Sequence, residues 1–315
     1  MNGEKPFDPF CKAGKAESMT TKAEPVIDIR LLRDVDVESV EEMSSASMDE
    51  MDRKYGVQVP DRDAERIAWA HRRIRHIAAT DPEGSVVAER EGEIVGVALA
   101  TRRGPFWFLS LLTVRSDLQA AGIGRRLLDA TLAHGKDCPL GMIGASPDPR
   151  ALRRYGRAGF DLHPAYTPEG QPDLTEAPAG LGVRDGDWDR DTEFLEELVA
   201  QRRGAAYGPD LDFLANPRGR LLVRDGSAPG DRAACLLRNN KSVMLAAASE
   251  DSARRVLWAA LAEAPDHVVL PYVTGNQQWA IDVALAARLS LRLTDTLCVK
   301  GMPAPAPYLP TGVLG

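Results

Sequence analysis

LLTVRSDLQAAGIGRRLL, residues 111–128 of a 315-residue chain, changes character twice. Its first residues end the run FWFLSLLTV (Phe106–Val114). That run is apolar on both faces apart from Ser110, the pattern of a central strand covered on both sides. A glycine-containing loop follows, and a helix is predicted from about Gly122 to His134. The first amides of a helix have no acceptor within it, and the helix dipole adds positive potential there. Glycine lets a phosphate approach the backbone closely, so this strand–loop–helix junction reads as an anion site. Arg125 and Arg126 add charge just inside the helix.

Upstream, a strand is predicted from Val26. A helix follows over Asp36–Lys54, with Val37, Val40, Met43 and Met48 on one side. A second helix runs over Asp61–Ala79 with Ile67, Trp69, Ile74 and Ile77, and then a hairpin turns at Glu91-Gly92. Downstream, LGMIGAS reads as a strand, DPRALRRYGRAG as a helix stopped by Gly159, and a further strand follows. The stretch from Pro164 to Gly180 is rich in proline and glycine, as a linker would be. The order then restarts: strand LGVRD, helix Asp187–Arg203, strands LLVRD, AACLLR and SVMLAAA, helix Ser252–Ala262, strand VVLPYV and helix Trp279–Leu289. The chain is therefore expected to divide into a mobile arm (1–24), a first domain (25–165), a linker (166–180), a second domain (181–303) and an extended tail (304–315).

Two helices overlay without gaps at one offset of 129 residues. GRRLLDATLAH from Gly124 falls on ARRVLWAALAE from Ala253, and RALRRYGRAGF from Arg150 falls on WAIDVALAARL from Trp279. One offset serving two separated helices predicts a duplicated fold. Within this overlay Gly122 meets Asp251, with Glu250 alongside, Gly124 meets Ala253, and Tyr155 meets Ala284.

Gln119, Gly122 and Gly124 form a Q-x-x-G-x-G pattern directly after the central strand. Arg150, Ala151, Tyr155, Gly159 and Phe160 form R-A-x-x-x-Y-x-x-x-G-F one strand later. Together they make residues 26–165 resemble the GNAT acyltransferases. Asp148, where that family often has Asn, is a departure. The resemblance implies an α/β fold of two tandem GNAT-like domains, each a mixed, mostly antiparallel sheet flanked by helices. It implies acetyl-CoA as co-substrate and direct acyl transfer to an amine. The pyrophosphate would lie on the loop at Gln119, Ala120, Ala121, Gly122, Ile123, Gly124 and Arg125. The pantetheine and thioester carbonyl would lie along Leu112, Thr113 and Val114, between two splayed central strands. Tyr155 would protonate the departing thiolate as general acid. No general base is assigned: the central strand has no Glu or His, and His71, His76, Glu42 and Asp49 carry no specific signal. In the second copy, Glu250 and Asp251 would repel a pyrophosphate, and Ala284 cannot donate a proton. That copy is expected to be degenerate.

The composition, 44% apolar and 27% charged, is that of a globular chain. Lys and Arg number 39 against 46 Asp and Glu, a net charge of −7, which disfavours nucleic acid as a partner. There is no run of about 18 apolar residues for a membrane span and no apolar core for a secretory signal. Cys11, Cys138, Cys235 and Cys298 form no CxxC pair and the five His are scattered, so no metal site is expected. These features predict a cytoplasmic N-acetyltransferase for a primary amine of a small molecule or natural product, with a homodimer left open. The alternative is a non-catalytic acyl-CoA-binding sensor.

Overall fold

The computed structural model describes residues 26–315 apart from 58, 60, 120, 216–218, 239–241 and 265. The arm expected over 1–24 lies outside the described residues, as do Cys11 and Ala120. The first unit is built from β1 (Ile27–Leu31), α1 (Val37–Lys54), α2 (Ala64–Thr80), β2 (Ser85–Arg90), β3 (Glu93–Arg103), β4 (Phe106–Val114), α3 (Ile123–His134), β5 (Leu140–Ala145), α4 (Pro149–Arg157) and β6 (Asp161–Gly170). The second begins with β7 (Arg184–Asp185), α5 (Trp188–Arg203), α6 (Asp210–Ala215), β8 (Gly219–Asp225), β9 (Arg232–Arg238) and β10 (Ser242–Ala247). It continues with α7 (Glu250–Ala262), β11 (Val268–Val269), β12 (Val273–Thr274), α8 (Gln278–Ala286), β13 (Ser290–Lys300) and β14 (Tyr308–Leu309).

Local chemistry accounts for several boundaries. The β2–β3 hairpin turns on Glu91 (φ 52°) and Gly92 (φ 86°), both left-handed as a two-residue hairpin loop demands. Asp148 caps α4 by accepting the Arg150 N–H at 2.9 Å. The expected strand VVLPYV is broken into β11 and β12, with Tyr272 between them at φ 59°. Neither α6 nor β13 was expected from the sequence. The stretch expected to be linker starts as strand, because β6 continues to Gly170.

The architecture is α/β: mixed, mostly antiparallel sheets flanked by helices. The strand order is β1, β2, β3, β4, β5, β13, β6, β11, β10, β9, β8, β7, so the sheet is continuous through both units. The final strands of the two units are exchanged. β13 lies between β5 and β6, pairing Thr296–Lys300 with Ala145–Gly141, and β6 lies between β13 and β11. The 129-residue offset carries both limits of α4 onto those of α8, and places β6 on β13. One hydrophobic core draws on both units, from Val40, Ile74 and Phe108 to Leu198, Tyr207 and Leu297.

The tail also packs. β14 pairs with β10, Gln277 Nε2 donates to the Pro305 and Tyr308 carbonyls (2.5 Å each), and Leu314 is buried.

A buried ionic network ties the two units together. Arg103 on β3 donates to Asp81 (2.8 Å) and, through Nε, to Asp210 of the second unit (2.8 Å). His76 meets Asp210 at 2.8 Å and His134 meets Asp81 at 3.1 Å. His76 also stacks on Phe213, with ring centroids 5.2 Å apart, so its role is structural. Removing the cation would strand two buried carboxylates. Arg103→Met is expected to lower unfolding stability by about 3–5 kcal/mol, measured by denaturant titration.

Candidate active site

β4 and β5 begin as a parallel pair and then part. Phe106–Leu109 pair with Leu140–Ile143, and the pairing stops there. On the other side of β4, Leu99 pairs with Leu111 and Ala100 with Leu109, so Ser110 is the extra residue of a β-bulge. Gly144 and Ala145 of β5 pair only with β13. The sheet therefore opens between Ser110–Val114 and Gly144–Ser146. A cavity of about 330 Å³ occupies the opening.

Leu112, Thr113, Val114, Gln119, Gly122, Ile123, Gly124 and Tyr155 all line this one cavity. Gln119 pins the loop by donating Nε2 to the Val114 carbonyl at 3.2 Å. Gly122 caps α3 at φ 80°, a left-handed conformation natural to glycine. The N–H groups of Gly122, Ile123 and Gly124 have no acceptor among the described residues. Two expected members stand apart. Ala121 is exposed. The Arg125 N–H is spent on the Gly122 carbonyl (3.1 Å), and its exposed side chain faces Asp129 at 3.4 Å. Both lie outside the cavity lining because the helix turn directs them to solvent.

Sequence reading passed over Arg154. Its guanidinium lies against Gly124 and lines the cavity beside the free amides. One helical turn separates it from Arg150, which is tied to Asp148 at 3.0 Å.

Tyr155 is 5% exposed, and its hydroxyl has no hydrogen-bond partner among the described residues. Burial pushes the phenol well above its ordinary range, so it stays protonated. Tyr155 packs with Ile143 and Cys298 beneath α3 and α4.

The opposite face of the sheet, under α1 and α2, brings in groups from far along the chain. Asp295 of β13 alternates with Leu297 and Val299, which belong to the core under α1 and α2. Its carboxylate accepts from Thr167 Oγ1. Burial raises its affinity for a proton, against the pull of Thr167 and Arg292 and with the help of Asp52 and Glu169. Asp52 of α1 is shifted the same way by burial and Asp49. Tyr272 lies over Gly144, and the tail closes the end of the cavity, where Ser110 Oγ donates to the Val313 carbonyl at 2.6 Å. Of these, only Ser110 stood out in the sequence, as the one polar residue of the central strand. Asp295 lies in the strand that was not foreseen, and Asp52 looks like any carboxylate of an acidic helix.

Residues 45–160 match the model of the acetyltransferase (GNAT) family. The chain is 37% identical over 91 residues to a mycothiol acetyltransferase of Streptomyces bingchenggensis, covering 26% of this chain and 29% of that one. It thus spans under a third of that relative's length. Over most of its length the chain shares its fold with two solved structures. One, from Pyrococcus horikoshii, is described as a candidate acetyltransferase (TM-score 0.71, 16% identity, 92% of this chain and 96% of that one). The other is a GCN5-related N-acetyltransferase from Sphaerobacter thermophilus (TM-score 0.53, 16% identity, 87% and 95%). Among the described residues no group of three or more His, Cys, Asp or Glu could hold a metal ion, and no helix is long and apolar enough to cross a membrane.

The loop at Gly122 makes a direct prediction. Gly122→Asp puts a carboxylate among the free amides and asks a non-glycine residue to adopt φ 80°, at about 1–2 kcal/mol. We expect the melting temperature without ligand to fall by about 2–8 °C. The rise that acetyl-CoA induces in the parent should disappear, as read by thermal unfolding with and without acetyl-CoA.

Proposed function

We propose that the chain is an acetyl-CoA-dependent N-acetyltransferase that transfers an acetyl group directly to a primary amine of a small molecule. One observation carries the reading: free helix-start amides, a splayed strand pair and an unpartnered buried phenol share a single cavity. Amides of Gly122, Ile123 and Gly124, with Arg154 beside them, would take the pyrophosphate. The pantetheine would run along Leu112–Val114, with backbone groups at the β4 bulge meeting the thioester oxygen as it gains charge. The amine nitrogen attacks the carbonyl carbon from the α1–α2 face and becomes acidic as the C–N bond forms. Asp295 would then take its proton. The C–S bond breaks, and Tyr155 donates to the sulfur as it leaves.

The second unit supports a degenerate-copy reading. Between β10 and α7 there are only Ala248 and Ser249, where the first unit has eight residues between β4 and α3. Ser249 caps α7 by accepting the Ser252 N–H at 3.2 Å, and Asp251 pairs with Arg255 at 2.8 Å. No loop is left there to cradle a pyrophosphate. Calorimetric titration should find one acetyl-CoA site per chain. Two equivalent sites would show that the second copy also binds.

The sensor alternative drew on the lack of a base, and Asp52 and Asp295 supply candidates. Following thiol release from acetyl-CoA with a panel of primary amines decides between the two. Acetyl-CoA that binds while no amine releases thiol favours the sensor. For an amine that reacts, Tyr155→Phe should lower kcat about 10²–10⁴-fold while leaving acetyl-CoA binding intact. Asp295→Asn should remove the acidic limb of the kcat pH profile. The reason is that the raised affinity of Asp295 for a proton holds part of the enzyme inactive at low pH, and that part is recovered as pH rises.

A further inference from the structure

α2 turns one face toward the second unit. Trp69 meets Phe213 of α6 with ring centroids 5.9 Å apart. Arg238, at the end of β9, lies over the Trp69 ring at 4.2 Å, and Arg73, one helical turn along α2, lies 5.3 Å from the same ring. Arg73 is only 9% exposed and lines the cavity. It makes no ion pair or hydrogen bond among the described residues, and its Nε is buried with no partner. Burial and the like charge of Arg238 push the guanidinium down to about 10. Arg238 lacks a carboxylate partner too, and lines an adjoining apolar pocket that shares Tyr272, Asp295, Gly312 and Val313 with the main cavity.

A guanidinium withdrawn from water beside another guanidinium is costly unless an anion meets it. Stacking on an aromatic ring offsets only part of what an uncompensated buried charge costs. The five donors of arginine match a carboxylate in a bidentate fork. Nothing in the described chain supplies that carboxylate, and the cavity gives it a way in. The position also separates this group from the acyl donor: Arg73 stands on the α1–α2 side, whereas the free amides and Arg154 belong to α3 and α4.

We infer that the acceptor is an amino acid in the broad sense, a primary amine carrying a carboxylate that Arg73 binds. This rests on the acyltransferase reading above. A dianionic phosphate would share the cavity with Asp52 and Asp295, whose charges oppose it. A zwitterion has an ammonium for those carboxylates and one negative charge for the guanidinium.

The test uses the full chain with acetyl-CoA and matched amines: β-alanine, 4-aminobutyrate and 6-aminohexanoate, each against its amide. At least one carboxylate member is expected to react with kcat/KM tenfold or more above its amide. Arg73→Leu should erase that preference through KM for the amine, leave KM for acetyl-CoA unchanged, and melt no lower than the parent. Arg73→Lys should restore part of the preference. Amides that react equally well, a preference that survives Arg73→Leu, or a variant that melts several degrees lower would overturn the inference and leave Arg73 a packing residue. If no amine reacts, saturation-transfer NMR with butyrate and butyramide still decides it. Butyrate binding that requires Arg73 would uphold the anion site while the acyltransferase reading fails. Butyrate bound equally by parent and variant would sink the inference itself.

Discussion

The antiparallel pairing of β6 with β13 is the constraint on which the remaining structure depends. Each strand closes the sheet of the other unit. β13 gives β5 a complete partner along Gly141–Ala145, so β5 can part from β4 past Ile143 with its backbone still bonded on one side. Without that partner, opening the sheet would leave both edges of β5 unpaired, at the cost of stranded polar backbone groups. The exchange thus permits the cleft, and it also furnishes the cleft, since Asp295 arrives on the exchanged strand. The Arg103–Asp210 pair and the core running from Val40 to Leu297 hold this arrangement from the other face.

The sheet separates two kinds of chemistry. Toward α3 and α4 the cavity offers unpaired amides, Arg154 and a protonated phenol, all suited to a polyanionic donor and its leaving group. Toward α1 and α2 it offers Asp52 and Asp295 near an unpaired guanidinium, suited to a small acceptor with charges of both signs. The two sets meet in the cavity where β4 and β5 diverge. Water is limited by the tail, whose Val313 carbonyl occupies the bulge hydroxyl of Ser110.

The second unit has a shorter connection before its helix α7 than the first has before α3. Its β10–α7 connection is too short to form a cradle, and its helix start is capped internally by Ser249. What it contributes is wall and support: Tyr272 over Gly144, Gly312 and Val313 at the end of the cavity, and Arg238 beside Trp69.

Much of the side of the cavity that faces α3 was legible in the sequence because it is local. A strand, a glycine-bearing loop and a helix start lie within residues 106–134, so the free amides follow from the backbone alone. Tyr155 was singled out only through the resemblance of its helix to the GNAT motif, and the 129-residue offset came from the matching of helix faces. The side that faces α1 and α2 depends on contacts between residues more than a hundred positions apart. β13 was missed although Leu291, Leu293, Leu297 and Val299 alternate in SLRLTDTLCVK, with Asp295 breaking the pattern; its place between β5 and β6 comes from pairing on both sides, which local pattern does not show. Asp52, Arg73 and Asp295 look like ordinary surface charges until packing takes them out of water. The amino-acid sequence by itself determined where an anion could be cradled. Only the tertiary structure decided what faces it, because desolvation, which turns a common charged residue into a chemical one, is a property of the packed chain.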